Sequence, residues 1–444
     1  MIRSILAGLV FLCVSPSIGH GQNVQATVQS WSQIEPGSIP NIEANISIAG
    51  TFTRSDGSLA SYSVPATLIY AARLQNCNKV GIVDPTLSTL LEVFPTAGQE
   101  AVAEVLRLTT GDTFLGRGYT YLSVQWNKLV TDRLGGGNIE RATDGYRIVV
   151  DSATLLRNPA VFIQQGPLPS LPCPAQIVVG YGNSQTGFFL RDFYLKNQNA
   201  HGAFDGVLLQ GTGDRCRTLT DAAPLFAYSN CDDMLPQHGK IIVLNSETDV
   251  LMFQAWKVRA AAANYRIYDV AGVSHIPKNI LDLSAFGATR QLPVDWNPVV
   301  RAMLVNLQNW ILGIAPPSST TISGRETSGT FQIERDNFGN ALGGIRLPHM
   351  ISEKNGKPAG APLGTYVGIE NLSLCSFPPQ YCFVILGGAF TPFSASQLES
   401  LYPNHGRYVT AVVRGAVLAA HNRHILRSEV SRYIRSAARS NIGR

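Results

Sequence analysis

Residues Ile177-Val178-Val179-Gly180-Tyr181-Gly182-Asn183-Ser184-Gln185-Thr186-Gly187 run from an apolar segment through a glycine-bracketed turn straight into a helical pattern. A serine held at a strand-to-helix turn projects its hydroxyl above the sheet edge. The first N–H of the new helix then points at any oxyanion formed beside it. The usual spacing puts glycine two places before and two places after the serine, so that the turn packs against its neighbours. Here Gly182 fills the first position, Thr186 fills the second, and Gly187 follows one place late. An ordinary Gly-Asn turn has the same local appearance, so the rest of the chain has to carry the assignment of Ser184 as a nucleophile.

The surrounding pattern is an alternation of strands and helices. Asn45 to Thr53 and Ala60 to Tyr70 read as an antiparallel hairpin around Ser55-Asp56-Gly57. Lys79 to Val83 is a short apolar strand, Leu87 to Leu108 has helical periodicity, and Gly118 to Gln125 is again a strand. A helix is expected near Gly145 to Leu156, and Gln185 to Lys196 forms the helix after Ser184. Further strands are expected at Phe204 to Leu209, Lys240 to Asn245 and Tyr265 to Val270, with a helical stretch at Val250 to Ala263. Asn297-Pro298 opens a helix to Leu312 whose apolar face is Val299, Met303, Leu307, Trp310 and Ile311. Pro316-Pro317-Ser318 begins a linker-like stretch that reads as strand-poor to about Pro392, and helices follow from Ser396 to Ala438. Such alternation predicts a mainly parallel sheet covered on both faces, with its site beyond the carboxyl ends of the strands.

At those ends stand the partners a serine nucleophile needs, a base to take its proton and a carboxylate to orient the base. The strand Lys240 to Asn245 runs into Ser246-Glu247-Thr248-Asp249, and the strand Tyr265 to Val270 runs into Ala271-Gly272-Val273-Ser274-His275. His275 is the expected base. Glu247 and Asp249 both remain available as the acid; Asp249 is preferred because a residue further past the strand can curl back towards the histidine, whereas Glu247 reads as a solvated turn residue. The oxyanion hole is expected to use the N–H of Gln185 and one from the loop around Asp84 to Thr86, although Asp84-Pro85 also reads as a plain turn.

Composition narrows the class. With 444 residues, 45% hydrophobic and 15% charged, the chain can bury a large core. Residues 1–21 follow the order basic, apolar, small that marks a secretory signal peptide. No later stretch has the length of apolar sequence that a membrane span requires. Of seven cysteines, Cys13 leaves with the leader, and the other six are expected to be paired in an oxidising compartment. Their separations favour Cys216 with Cys231 and Cys375 with Cys382, leaving Cys77 and Cys173. The net charge of +5 is too mild and dispersed for nucleic acid, and no spacing calls for a metal or a cofactor.

The motifs together resemble a family, the large bacterial "α/β hydrolase domain" proteins within the α/β-hydrolase superfamily. The resemblance rests on Phe189-Leu190-Arg191-Asp192-Phe193, Phe204-Asp205-Gly206-Val207, Asn245 to Asp249, Ala271 to His275, Gly344-Ile345-Arg346-Leu347-Pro348 and Thr391-Pro392-Phe393. It implies an α/β-hydrolase fold over residues 22–315, with residues 316–444 as an extension packed on it. It also implies a secreted or periplasmic serine hydrolase acting on a small or polymeric ester, with a carboxylate at Asp249, His275 as base and Ser184 as nucleophile. Two other readings stay open: a binding protein that kept the fold without the chemistry, and a polymer or carbohydrate esterase that grips its substrate with the region after Pro316, where Arg423, Arg427, Arg432, Arg435 and Arg439 could meet an anionic surface.

Overall fold

The computed structural model describes residues 24–34, 39–85, 112–134, 137–163, 168–221, 228–231, 238–259, 262–279, 281–369 and 384–444. The expected leader, the helix at Leu87 to Leu108 and the Cys375–Cys382 pair lie outside the described residues. Three long antiparallel strands, β1 (Gln25–Ile34), β2 (Asn41–Thr53) and β3 (Leu59–Ala71), open the sheet. After them come β4 (Val80–Pro85), β5 (Thr120–Val124), the short β6 (Asn138–Ile139) and β7 (Ile177–Asn183). Next are β8 (Gly206–Gln210), the small pair β9 (Arg215–Arg217) and β10 (Tyr228–Asn230), then β11 (Lys240–Ser246) and β12 (Tyr265–Val270). Among the described residues the main sheet has ten strands, in the order β1-β2-β3-β5-β4-β7-β8-β11-β12, with β6 on β3. From β5 to β12 all neighbours are parallel.

The parallel strands are apolar almost throughout because both of their faces are covered. Val178, Val207, Leu209, Ile241 and Val243 point into one core with Phe189, Leu190 and Phe193 of the helix α2 (Gln185–Leu195) and Ile148, Val149, Leu155 and Leu156 of α1 (Asp144–Arg157). Their neighbours Val179, Tyr181, Leu208, Ile242 and Leu244 point the other way, onto Val299, Met303, Leu307 and Trp310 of α4 (Asn297–Ile311). This alternation follows from the two-residue period of a strand. Each of these buried aliphatic side chains stabilises the fold by about 2 kcal/mol.

Two stretches depart from the sequence expectation. Val250 to Ala263 is not one helix: α3 (Glu247–Met252) begins earlier, capped by Ser246, and Gln254 at a left-handed φ of 48° ends it. Residues 316–392 are not strand-poor. Among the described residues they form three antiparallel strand pairs, Gly324–Thr327 with Thr330–Ile333, Ser352–Lys354 with Lys357–Ala359, and Gly364–Val367 with Ala389–Pro392. Asn355-Gly356 turns the second, both residues at positive φ, which is the two-residue turn that suits a hairpin. The extension shares the core: Ile345 bridges Val270 of β12, and Ile322, Ala341 and Met350 pack with Val250 and Ala271. Its last helices, α5 (His405–His421) and α6 (Arg427–Arg439), close over the α4 side through Ala419, Val430 and Tyr433.

Two disulfides join Cys77 to Cys173 and Cys216 to Cys231. The first ties the strand-leading segments before β4 and β7, and the second closes the β9–β10 pair. Their sequence separations, 96 and 15 residues, set unequal costs for removal. Replacing Cys77 and Cys173 by alanine should lower unfolding free energy by about 4 to 5 kcal/mol, and replacing Cys216 and Cys231 by about 3 kcal/mol. Urea denaturation of the two double variants checks the order.

Candidate active site

Ser184 sits where β7 ends and α2 begins, with φ 52° and ψ −118°, a backbone conformation that costs a non-glycine residue about 1 to 3 kcal/mol. Its surroundings hold it there. The Ser184 N–H donates to Gln210 O at 2.8 Å, and its carbonyl accepts from Phe188 N at 2.8 Å. Thr186 also fastens the turn, its hydroxyl accepting from Asn183 N at 2.9 Å and donating to Asn183 O at 3.0 Å. The close approach that the second glycine of the usual spacing permits is made here by Gly187. A Cβ on Gly182 would lie 2.8 Å from the Gly187 backbone, and one on Gly187 would lie 2.5 Å from Thr212 Cγ2. Thus threonine at the nominal glycine position locks the turn, and the glycine one place later packs it. Gln185 opens α2, and N–H groups in the first turn of a helix have no acceptor within the helix.

The other two residues stand at neighbouring strand ends. His275 Nδ1 and Asp249 Oδ1 are 2.6 Å apart, with Asp249 fully buried and His275 8% exposed. The second oxygen of Asp249 accepts from Ser246 N at 2.6 Å and Ser246 Oγ at 2.8 Å, so a capping box at the start of α3 aims the carboxylate. With Nδ1–H donated to the carboxylate, Nε2 is the nitrogen that can accept a proton. The histidine backbone is anchored too, its N–H donating to Thr248 Oγ1 at 3.2 Å, and Phe253 meets its ring edge-on.

Gly211 links this pair to Ser184. It follows Gln210, whose carbonyl holds the Ser184 N–H, and a Cβ built on Gly211 would lie 2.8 Å from His275 Cε1 and 3.0 Å from Nδ1. β8 lies between β7 and β11 in the sheet. One backbone step at its carboxyl end therefore touches the serine turn on one side and the imidazole on the other. Nothing in the local sequence around Gly211 announces this, because the requirement comes from a ring more than sixty residues away.

Glu247 has a different role from the one expected. It is fully buried rather than solvated: Oε1 accepts from Arg335 Nη2 at 2.8 Å and Gly368 N at 3.1 Å, and Oε2 from Gly272 N at 3.0 Å. It bonds the extension to the loop that leads to His275 and makes no hydrogen bond to the imidazole. Asp84 is also not on a loop. It pairs with Ser123 inside β4, its carboxyl receives the Tyr121 hydroxyl at 2.6 Å, and burial pushes its pKa up to about 8. Pro85, which has no N–H, ends that strand, and the following loop lies outside the described residues. His349 is half-buried against Tyr366 beside Gly272, and desolvation lowers its pKa to about 3. No cluster able to hold a metal ion occurs among the described residues.

Two expected outcomes test these placements. Glu247→Gln should lower unfolding free energy by about 2 kcal/mol or more, since it removes one charge of a buried pair and sets an amide against donors; thermal and urea denaturation read this. Asp84 has a folded pKa of about 8 against an ordinary 3.8, so the fold favours its neutral form. Its stabilising contribution is complete below about pH 4 and is lost as pH rises through about 8. Asp84→Asn, which cannot ionise, should gain Tm over the wild type progressively between about pH 5 and pH 9, and show no gain near pH 4. Melting curves across that range check it.

The sequence profile described as "Alpha/beta hydrolase domain" matches residues 93–435. No curated protein matches the chain. Among solved structures, the rice cell wall degrading esterase LipA from Xanthomonas oryzae is 9% identical with a TM-score of 0.35, over 64% of this chain and 98% of that one. A CE15 glucuronoyl esterase from Teredinibacter turnerae T7901 is 12% identical with a TM-score of 0.27, over 44% of this chain and 47% of that one. An arylesterase is 11% identical with a TM-score of 0.29, over 54% of this chain and 77% of that one. The match thus spans less than half the length of the Teredinibacter esterase. With the profile covering well over half of its length, and with a largely parallel sheet whose carboxyl edge gathers Ser184, Asp249 and His275, the chain belongs to the alpha/beta hydrolase domain family.

Proposed function

We propose that this protein is an exported serine hydrolase of carboxylic esters. The observation that carries the reading is the 2.6 Å Asp249–His275 contact beside Gly211, one residue from the carbonyl that holds the strained Ser184. Ser184 Oγ attacks the ester carbonyl carbon while His275 Nε2 takes its proton. Asp249 holds the ring in the required tautomer and stabilises the imidazolium that forms. The imidazolium then protonates the departing alkoxide. Water, deprotonated by the same nitrogen, attacks the acyl-serine and releases the acid. The oxyanion would be met by the Gln185 N–H at the start of α2. No cofactor or metal enters this scheme.

Export is supported by the two disulfides, which persist in oxidising compartments. No described helix is long and apolar enough to cross a membrane. Thr186, in the place of the usual second glycine, is the one residue that favours a binding protein without chemistry, and the bonds it makes to Asn183 suit a closed elbow.

A fluorophosphonate probe should label wild-type protein at Ser184, and Ser184→Ala should remain unlabelled. With a panel of acyl esters, Asp249→Asn should retain its fold and lose roughly 10⁴-fold in kcat, the loss expected when the orienting carboxylate becomes an amide. Label on another residue, or full activity in Asp249→Asn, rejects the scheme.

A further inference from the structure

The charge of this chain is unevenly distributed. Residues 405–444 contain eight arginines, no lysine and a single carboxylate, Glu429, for a net +7, while the whole chain carries +5. The rest is therefore slightly acidic, at −2. Glu429 is already engaged, buried at 3% exposure with Arg301 Nε of α4 at 2.8 Å from its Oε1. What remains is an exposed set of guanidinium groups in excess over this one carboxylate, whose Oε2 Arg432 also approaches at 3.7 Å. Three of them, Arg432, Arg435 and Arg439, share one face of α6 at spacings of three and four residues, covering about 10 Å of helix. With the hydroxyl-bearing Ser436 and Ser440 they line a shallow, open groove of about 430 Å³.

The position of the groove follows from three contacts. Leu307 and Ile311 of α4 lie against Gly206, the first residue of β8, so α4 descends from the carboxyl to the amino ends of the strands. Against it, Arg423 O receives Asn306 Nδ2 and Glu429 meets Arg301. The last helix thus climbs the opposite way, and its arginine-bearing end lies towards the edge of the sheet that carries Ser184 and His275.

We propose that this arginine-lined groove binds an acidic polysaccharide, a chain of repeated carboxylate-bearing sugars. Guanidinium groups present planar paired donors that match carboxylates, and serine hydroxyls supply neutral donors and acceptors for sugar hydroxyls. The apolar side of α6 is spent on the protein's own core through Val430, Tyr433 and Ala437, which leaves no hydrophobic stripe to enter a membrane. The inference concerns binding alone and stands whether or not Ser184 is the nucleophile.

The test uses the full chain and polygalacturonate, with neutral dextran and anionic phosphatidylglycerol vesicles as alternatives, in affinity electrophoresis and co-sedimentation. Polygalacturonate should be bound at about 0.05 M salt and largely released at about 0.5 M, as screened charge contacts require. The triple variant Arg432→Gln, Arg435→Gln, Arg439→Gln should bind about tenfold or more weakly, with Tm and turnover of a small soluble ester unchanged. Ser184→Ala should bind as the wild type does, which separates this inference from the catalytic one. Equal binding by wild type and triple variant, or retention on vesicles but not on polygalacturonate, overturns the proposal.

Discussion

A carboxylate with no access to water stands at the junction of everything that matters in this molecule. Glu247 accepts from Gly272 of the loop that ends in His275, from Gly368 of the extension and from Arg335 of the same extension. Burying such a charge is costly unless each oxygen is satisfied, and satisfying these requires three distant segments to arrive together. Residues 316–444 are for this reason part of the architecture of the site. Two residues on, the same short helix supplies Asp249, whose second oxygen is fixed by Ser246 so that the first faces His275. The capping of α3 and the orientation of the imidazole are one arrangement.

The sheet supplies the rest. Because β7, β8, β11 and β12 are parallel neighbours, their carboxyl ends form a single edge, and residues far apart in sequence become adjacent there. The strained backbone of Ser184 persists because the Gln210 carbonyl, the Thr186 hydroxyl and the Gly182–Gly187 contact over-determine the turn. Gly211 is the narrowest point, since any side chain there would displace the imidazole.

Much of this was readable in one dimension. Local signals have local causes: apolar runs buried on both faces gave β7, β8, β11 and β12, the 3.6-residue pattern gave α4, and the turn after Val179 marked Ser184. Errors arose where tertiary context outweighed local preference. Val250 to Ala263 looked helical, yet a left-handed Gln254 ends α3. The strand pairs after Pro316 went unread because strands of three or four residues carry too few positions for a period to appear, although Asn355-Gly356 was a legible turn.

Sequence alone determined the class of fold and the order of Ser184, Asp249 and His275 along the chain, because each depends on composition, period or order. Only the tertiary structure gave the two carboxylates their different surroundings. Glu247 and Asp249 are two residues apart on one short helix and point to different partners, one to the backbone of the extension and one to the imidazole. It likewise moved the packing role of the elbow to Gly187, buried Asp84 beside Tyr121, and set the Glu429 carboxylate against Arg301 so that the arginines of the last helix face outward. The reason is common to all four: direction and burial of a side chain depend on which distant segment packs against it, and that information is absent from its neighbours in sequence.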